Sequence, residues 1–157
     1  AHAGLRAALV LAGAGTLAGI AVTLRFHLRH GEGPDLAPSR HWPASVVAGA
    51  PDADRGPVLV TVEYRIDPAS AEDFARAMRD VRRTRLRDGA FRWDLLSDPA
   101  DPGRYVESFL VESWIEHLRQ HERITVADRE TEAGARRYHQ GPGPPVVSHF
   151  IARELPQ

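Results

Sequence analysis

The N-terminal part of the chain is patterned by a lack of charge. From Ala7 to Leu24, AALVLAGAGTLAGIAVTL, no charged side chain interrupts eighteen residues. A helix of that length rises about 27 Å, close to the hydrocarbon thickness of a bilayer. Gly15 and Gly19 stand four apart within it, a spacing that lets membrane helices approach closely. The run therefore predicts a transmembrane helix within residues 1–28. A secretory signal segment and a buried core helix are the competing readings. Arg25, His27, Arg29 and His30 follow the run at once, and only Arg6 precedes it. The positive-inside rule then places the C-terminal side in the cytoplasm.

Periodicity is lost over residues 29–57, which carry Pro34, Pro38, Pro43, Pro51 and Pro57 among Gly31, Gly33, Gly49 and Gly56. That composition predicts a linker, extended where proline dominates. Trp42 is its one large apolar residue, and two placements stay open for it: a membrane interface, or docking onto the domain that follows.

Residues 58–157 read as that domain. Val58, Val60, Val62, Tyr64 and Ile66 alternate with Leu59, Thr61, Glu63 and Arg65, which predicts a strand. Asp67 and Pro68 open a helix that extends to Arg87, with Ala71, Phe74, Met78 and Val81 as its buried stripe. Asp88-Gly89 ends it. A second strand is expected over Ala90 to Leu96, with Phe91, Trp93 and Leu95 on one face. Asp98-Pro99 and Asp101-Pro102-Gly103 mark a turn before a third strand from Arg104 to Glu112. Helical signals cover Trp114 to His121 and Thr125 to Tyr138, and Val146 to Ala152 reads as a last strand. The order β-α-β-β-α-β is α+β and ferredoxin-like. Bulky residues occupy both faces of the middle strands: Val106 and Leu110 oppose Tyr105, Phe109 and Val111. One face packs on the helices, and a second copy of the chain would cover the other. A homodimer through the sheet is expected.

Composition narrows the partners. The formal net charge is −1, every one of the 20 basic Lys+Arg residues is Arg, and there is no cysteine. A nucleic-acid footprint, a disulfide framework, a thiolate metal site and a cysteine nucleophile are thereby excluded. The only methionine is Met78 while position 1 is Ala, so the chain is expected to be a fragment of something longer. Phosphate-cradling loops and nucleophile elbows are absent.

Few side chains suggest chemistry. Tyr64, Trp93, Tyr105, Trp114 and His121 are candidates to line a pocket between sheet and helices, although alternating aromatics also build cores. His117 and His121 share a helix face at metal-ligand spacing, yet no third ligand completes a motif, and His139 or His149 could join them only through the tertiary fold. They remain candidate ligands only, and no metal or cofactor is assigned. Arg76, Arg79, Arg82, Arg83, Arg85 and Arg87 crowd one helix. Arg79, Arg82 and Arg83, with Arg25 and Arg29, are candidates for contact with an anionic membrane surface. A solvated face balanced by Glu72, Asp73, Asp80 and Asp88 is the plainer reading of that helix. Glu63, Arg65, Arg92, Asp94 and Glu107 fall on strands and would pair across them if they share a face. No catalytic residue is assigned.

Two stretches resemble known families. YVESFLVESWIEHLRQH, with Glu112, Trp114 and His121 in sequence, is similar to the third strand and following helix of antibiotic biosynthesis monooxygenase-like domains. The succession of the apolar helix, GEGPDLAPSRHWP, PVLVTVEYRIDP, RLRDGAFRWDL and DPGRYVESFLVESWIEHLRQHERITVADRE resembles the C-terminal end of major facilitator superfamily exporters of the transmembrane secretion effector, or enterobactin-exporter-like, group. The first resemblance implies a dimeric α+β barrel. The second implies the last membrane helix of an efflux transporter in the bacterial inner membrane, with the lipid bilayer as partner. Its tail domain would lie in the cytoplasm and serve dimerisation or ligand sensing. The alternative is a tethered monooxygenase-like enzyme acting on a small aromatic or polyketide-type compound.

Overall fold

The computed structural model describes residues 2–25, 33–39, 41, 42, 49 and 51–153. They fall into two compact units, Ala1–Gly33 and Pro34–Gln157.

The first unit is helix α1 (His2–Arg25). It is apolar all round: Leu9, Val10, Leu11, Leu17, Ile20 and Val22 are all exposed. The hydroxyl of Thr16 donates to the carbonyl of Ala12 at 3.0 Å, which satisfies it inside the helix. Among the described residues no helix is long and apolar enough to cross a membrane. The span expected over Ala7 to Leu24 extends beyond Val22, the last residue of α1 whose side chain is described.

In the second unit the alternation in β1 (Val58–Arg65) becomes a two-faced strand. Val58, Val60, Val62 and Tyr64 are buried, while Leu59, Thr61, Glu63 and Arg65 face the other way. β1 pairs antiparallel with β3 (Asp101–Val111) on one side and β4 (Val146–Ile151) on the other. β2 (Arg92–Asp98) completes an all-antiparallel sheet of order β2-β3-β1-β4. The side chain of Asp67 accepts from the amide of Ala69 and opens a 3-10 turn, Pro68–Ser70, ahead of helix α2 (Ala71–Arg87). The expected single helix is therefore two segments. Phe74, Met78 and Val81 bury the α2 stripe against Val62, Tyr64 and Ile66. Ala71 is only half-buried, and Thr84 and Arg85 extend the stripe instead.

Two other boundaries shift. The turn between β2 and β3 is confined to Pro99-Ala100, because Asp98 pairs directly with Asp101 and takes Pro102 and Gly103 into the strand. Phe91 was expected on one face with Trp93 and Leu95, but it precedes β2 at the exit of the Gly89 turn and is 61% exposed. Gly89 itself takes φ +108°, a left-handed conformation that suits glycine.

Helices α3 (Trp114–Arg123) and α4 (Val126–Arg136) follow β3, and α4 packs beside α2. Thr125 and Asp128 form a reciprocal capping box at the start of α4. The proline-rich stretch is partly docked. Trp114 and Ile115 donate their backbone amides to the carbonyls of Arg55 and Ala53, both at 2.9 Å. Val126 and Ala127 donate to Ala37 and Asp35, also at 2.9 Å. Four amides at the starts of α3 and α4, which no turn of helix can satisfy, thus find acceptors in the stretch read as a linker.

Candidate functional site

Between the inner face of β1 and β4 and the helices α3 and α4 lies a cavity of about 480 Å³. Its apolar wall comes from Val60, Val62, Phe109, Pro144, Pro145 and Val147. Its polar wall is a closed ion network built from four separate segments.

Arg85, on the buried side of α2, is the centre of that network. Its Nε donates to Glu107 Oε1 at 2.9 Å and its Nη1 to Glu132 Oε1 at 2.5 Å. Glu107 is delivered by β3 and is fully buried; it also accepts from Tyr64 Oη at 3.2 Å and Trp93 Nε1 at 3.0 Å. Glu132, from α4, accepts from Trp42 Nε1 at 2.9 Å and lies 3.0 Å from His41 Nε2. The Trp42 ring covers the Arg85 guanidinium at 4.7 Å from its centroid, and Phe109 approaches from another side at 5.1 Å. Burial opposes the charges of Arg85 and Glu132, and their partners overcome it. Arg85, between two carboxylates, is held above its ordinary value despite its burial. Glu132 is pulled down to about 2 by Arg85, His41 and Trp42, against the opposing effect of burial. Burial, with Glu107 next in effect, pushes the Tyr64 phenol well above its ordinary value.

A histidine cluster forms the far wall. His117 and His121 of α3 bring their Nε2 atoms to 3.3 Å. The His149 ring from β4 lies 4.7 Å from that of His117. Burial, reinforced by the neighbouring imidazoles, lowers His117 to about 3. His121 and His149 are lowered as well, chiefly by burial. All three rings are therefore neutral near pH 7. Among the described residues no group of three or more metal-binding side chains is arranged to hold an ion.

Of the five pocket candidates, Tyr64 and His121 line the cavity. Trp93 reaches it only through Glu107, Tyr105 packs on Phe74 in the core, and Trp114 is buried against His117 and His149. Glu107 does not share a face with the other strand charges. Glu63, Arg65, Arg92 and Asp94 lie on the outer face, where Arg104 bridges to Glu63 at 2.8 Å across strands. Of the membrane-surface candidates, Arg79 and Arg82 are exposed and Arg83 pairs with Asp80 at 2.5 Å. Arg29 and the side chain of Arg25 lie outside the described residues.

Arg85, Glu132 and His41 were not singled out as pocket residues by sequence reasoning. A signal existed for two of them. Arg85 continues the stripe of Phe74, Met78 and Val81 at helical spacing, and Glu132 continues that of Asp128 and Ala135.

A four-stranded antiparallel sheet with its cavity on the helical side defines an α+β ferredoxin-like domain. A protein from Caulobacter crescentus, provisionally described as an antibiotic biosynthesis monooxygenase, superposes with a TM-score of 0.53 at 21% identity, covering 65% of this chain and 94% of its own. A similarly described protein from Bordetella bronchiseptica gives 0.53 at 19%, covering 64% and 100%. At such identities the likeness is one of fold. The whole sequence, residues 1–157, matches the transmembrane secretion effector family, and the chain belongs to that family. No curated protein is similar enough to count as a match.

Proposed function

We propose that this chain is the C-terminal part of a membrane efflux transporter and that its α+β domain senses a small molecule in the cavity between sheet and helices. In this reading residues 1–28 contribute the last membrane helix, 29–57 join it to the tail, and 58–157 lie on the cytoplasmic side of a bacterial inner membrane. The family supports the transporter, and the all-round apolar surface of α1 with its internally satisfied Thr16 suits lipid. The tail also pairs with a second copy through the outer face of its sheet.

The single observation that carries the sensing role is the cavity of about 480 Å³, a size that suits a small ligand. Its chemistry limits the ligand. Arg85 is committed to two carboxylates, and those carboxylates already accept from Tyr64, Trp93 and Trp42. Arg136, the other cation on the wall, is half-exposed at its rim and faces Glu132 at 3.6 Å. What remains is the apolar wall, the flat Trp42 ring and the half-buried, neutral imidazoles of His121 and His149, which can exchange hydrogen bonds with a hydroxyl. The reading is therefore of a neutral, planar, hydroxyl-bearing molecule.

Titrating the full chain in detergent with 2-naphthol, followed by tryptophan fluorescence, tests this. Saturable binding that weakens at least tenfold in His149→Ala is expected, and an absence of saturable binding overturns the reading. The same neutral imidazoles favour a second reading, in which one accepts a proton from a bound quinol during oxidation. Oxygen uptake with naphthalene-1,4-diol separates the two: turnover supports the enzyme, and binding without turnover supports the sensor.

A further inference from the structure

Residues 34–39, with His41 and Trp42, form a strap whose far end belongs to the cavity. Pro38 makes an isolated bridge to Thr125, and Ser39 donates its amide to the carbonyl of Ile124 at 2.9 Å. Two further bonds run from the start of α4 to the strap carbonyls of Ala37 and Asp35. These backbone bonds are few, and Leu36 points to solvent at 66% exposure. The strap buries little apolar surface along its length, which puts it at the low end of local stability.

Its two aromatic residues do the opposite. Trp42 sits on the Arg85 guanidinium, donates to Glu132 and meets the His121 ring edge-on at 5.0 Å. His41 makes a second contact to Glu132. Both residues line the cavity. The wall is thus made by the domain and completed by a segment that precedes it in the chain and follows α1.

We propose that strap docking and ligand occupancy of the cavity are a single coupled equilibrium, with Trp42 as the residue that couples them. This rests on the sensing reading above. A ligand that fills the cavity contacts Trp42, so it binds the docked state better than the undocked one. By linkage it then favours docking by the same factor that docking favours it. The consequence is that a molecule held in the tail sets the state of the segment leading to helix α1.

Hydrogen exchange of the full chain in detergent, with and without 2-naphthol, tests the coupling. With 2-naphthol saturating, the amides of Ser39, Val126 and Ala127 are expected to exchange about tenfold more slowly, while amides in the centre of β1 are unchanged. Trp42→Ala is expected to weaken binding about tenfold and to abolish the slowing. Trp42→Phe, which keeps a ring but loses the indole N–H, is expected to fall between. The wild-type measurement stands even if Trp42→Ala folds poorly. Saturable binding with unchanged exchange of the strap amides overturns the coupling and leaves the sensor intact. Unchanged affinity in a folded Trp42→Ala does the same. No saturable binding at all removes the sensor, and the coupling falls with it.

Discussion

Arg85 is where the residue-scale energetics concentrate. A guanidinium with 5% exposure between two carboxylates is tolerable only because each charge is answered. Arg85→Ala would leave Glu107 and Glu132 buried with their cation gone. Breaking such a pair typically costs about 3–5 kcal/mol, so the urea midpoint of the domain transition should drop sharply. Arg85→Lys should recover only part, since an ammonium cannot span both acceptors as a planar fork does. Acid should act through the histidines first. Unfolded imidazole binds a proton near 6.5, whereas folded His117 resists it down to about 3. Between these values the unfolded chain holds more protons, so stability is full above pH 6.5 and declines as pH falls, by about 1.4 kcal/mol per unit for such a group. Glu132 adds a loss in the same direction between its unfolded 4.5 and about 2. Unfolding midpoints at pH 7.5, 6.5 and 5.5 should fall in that order, with a shallower slope in His117→Gln; equal midpoints would contradict it. The sequence made this network hard to see. Arg85 stands among five other arginines on one helix, and charge alone made it look solvated. Only its phase with Phe74, Met78 and Val81 distinguishes it, and the reason to bury it lies on β3 and α4.

At the scale of elements, the sequence was most informative where one residue's chemistry decides a local shape. The alternation in β1, the Asp67 cap, the breaks at Gly89 and Gly141 to Pro145, and the β-α-β-β-α-β order all follow from local rules. Misreadings arose where pairing overrode them: the direct pairing of Asp98 with Asp101 drew Pro102 and Gly103 into β3. The strap was invisible for a different reason. Its residues have no period, and its hold on α4, like that of Ala53 and Arg55 on α3, comes from backbone amides that every helix start presents. The segment around Gly56 shows how close that hold is. A Cβ at Gly56 would lie 1.9 Å from the carbonyl oxygen of Glu112. Gly56→Ala must therefore push the chain off the β3–α3 junction, and a loss of about 1–3 kcal/mol is expected from such overpacking. Gly134→Ala, where nothing lies within 4 Å of the added carbon, should be neutral or stabilising, because alanine is the better helix former. Thermal unfolding of the two variants side by side checks the contrast.

For the tail domain as a whole, the question is what covers the outer face of the sheet. Leu59 lies between Leu110 and Phe150 at one end, and Glu63 between Val106 and Val146 at the other. Between them runs a row of small polar residues, Ser108, Thr61 and Ser148, with Asp94 at its end. Leu96, Val146 and Phe150 are each more than half exposed. Four strands at about 4.8 Å and six residues at about 3.3 Å make a face of roughly 20 by 20 Å. Small side chains along its middle would let another sheet settle at about 10 Å, with the Leu59, Leu110 and Phe150 cluster meeting at one end and Leu96, Val106 and Val146 packing around Glu63 at the other. A second copy offers that surface by symmetry. Thr61→Arg puts a long charged side chain at the centre of the face while leaving the buried side of β1 untouched. Sedimentation of the full chain in detergent should give a dimer for the native protein and a monomer for Thr61→Arg. The cavity opens on the opposite side of the sheet, so affinity for 2-naphthol should stay within about twofold, a difference of about 0.4 kcal/mol. A native monomer at tens of micromolar would refute pairing through this face. A dimer that survives Thr61→Arg would move the interface elsewhere.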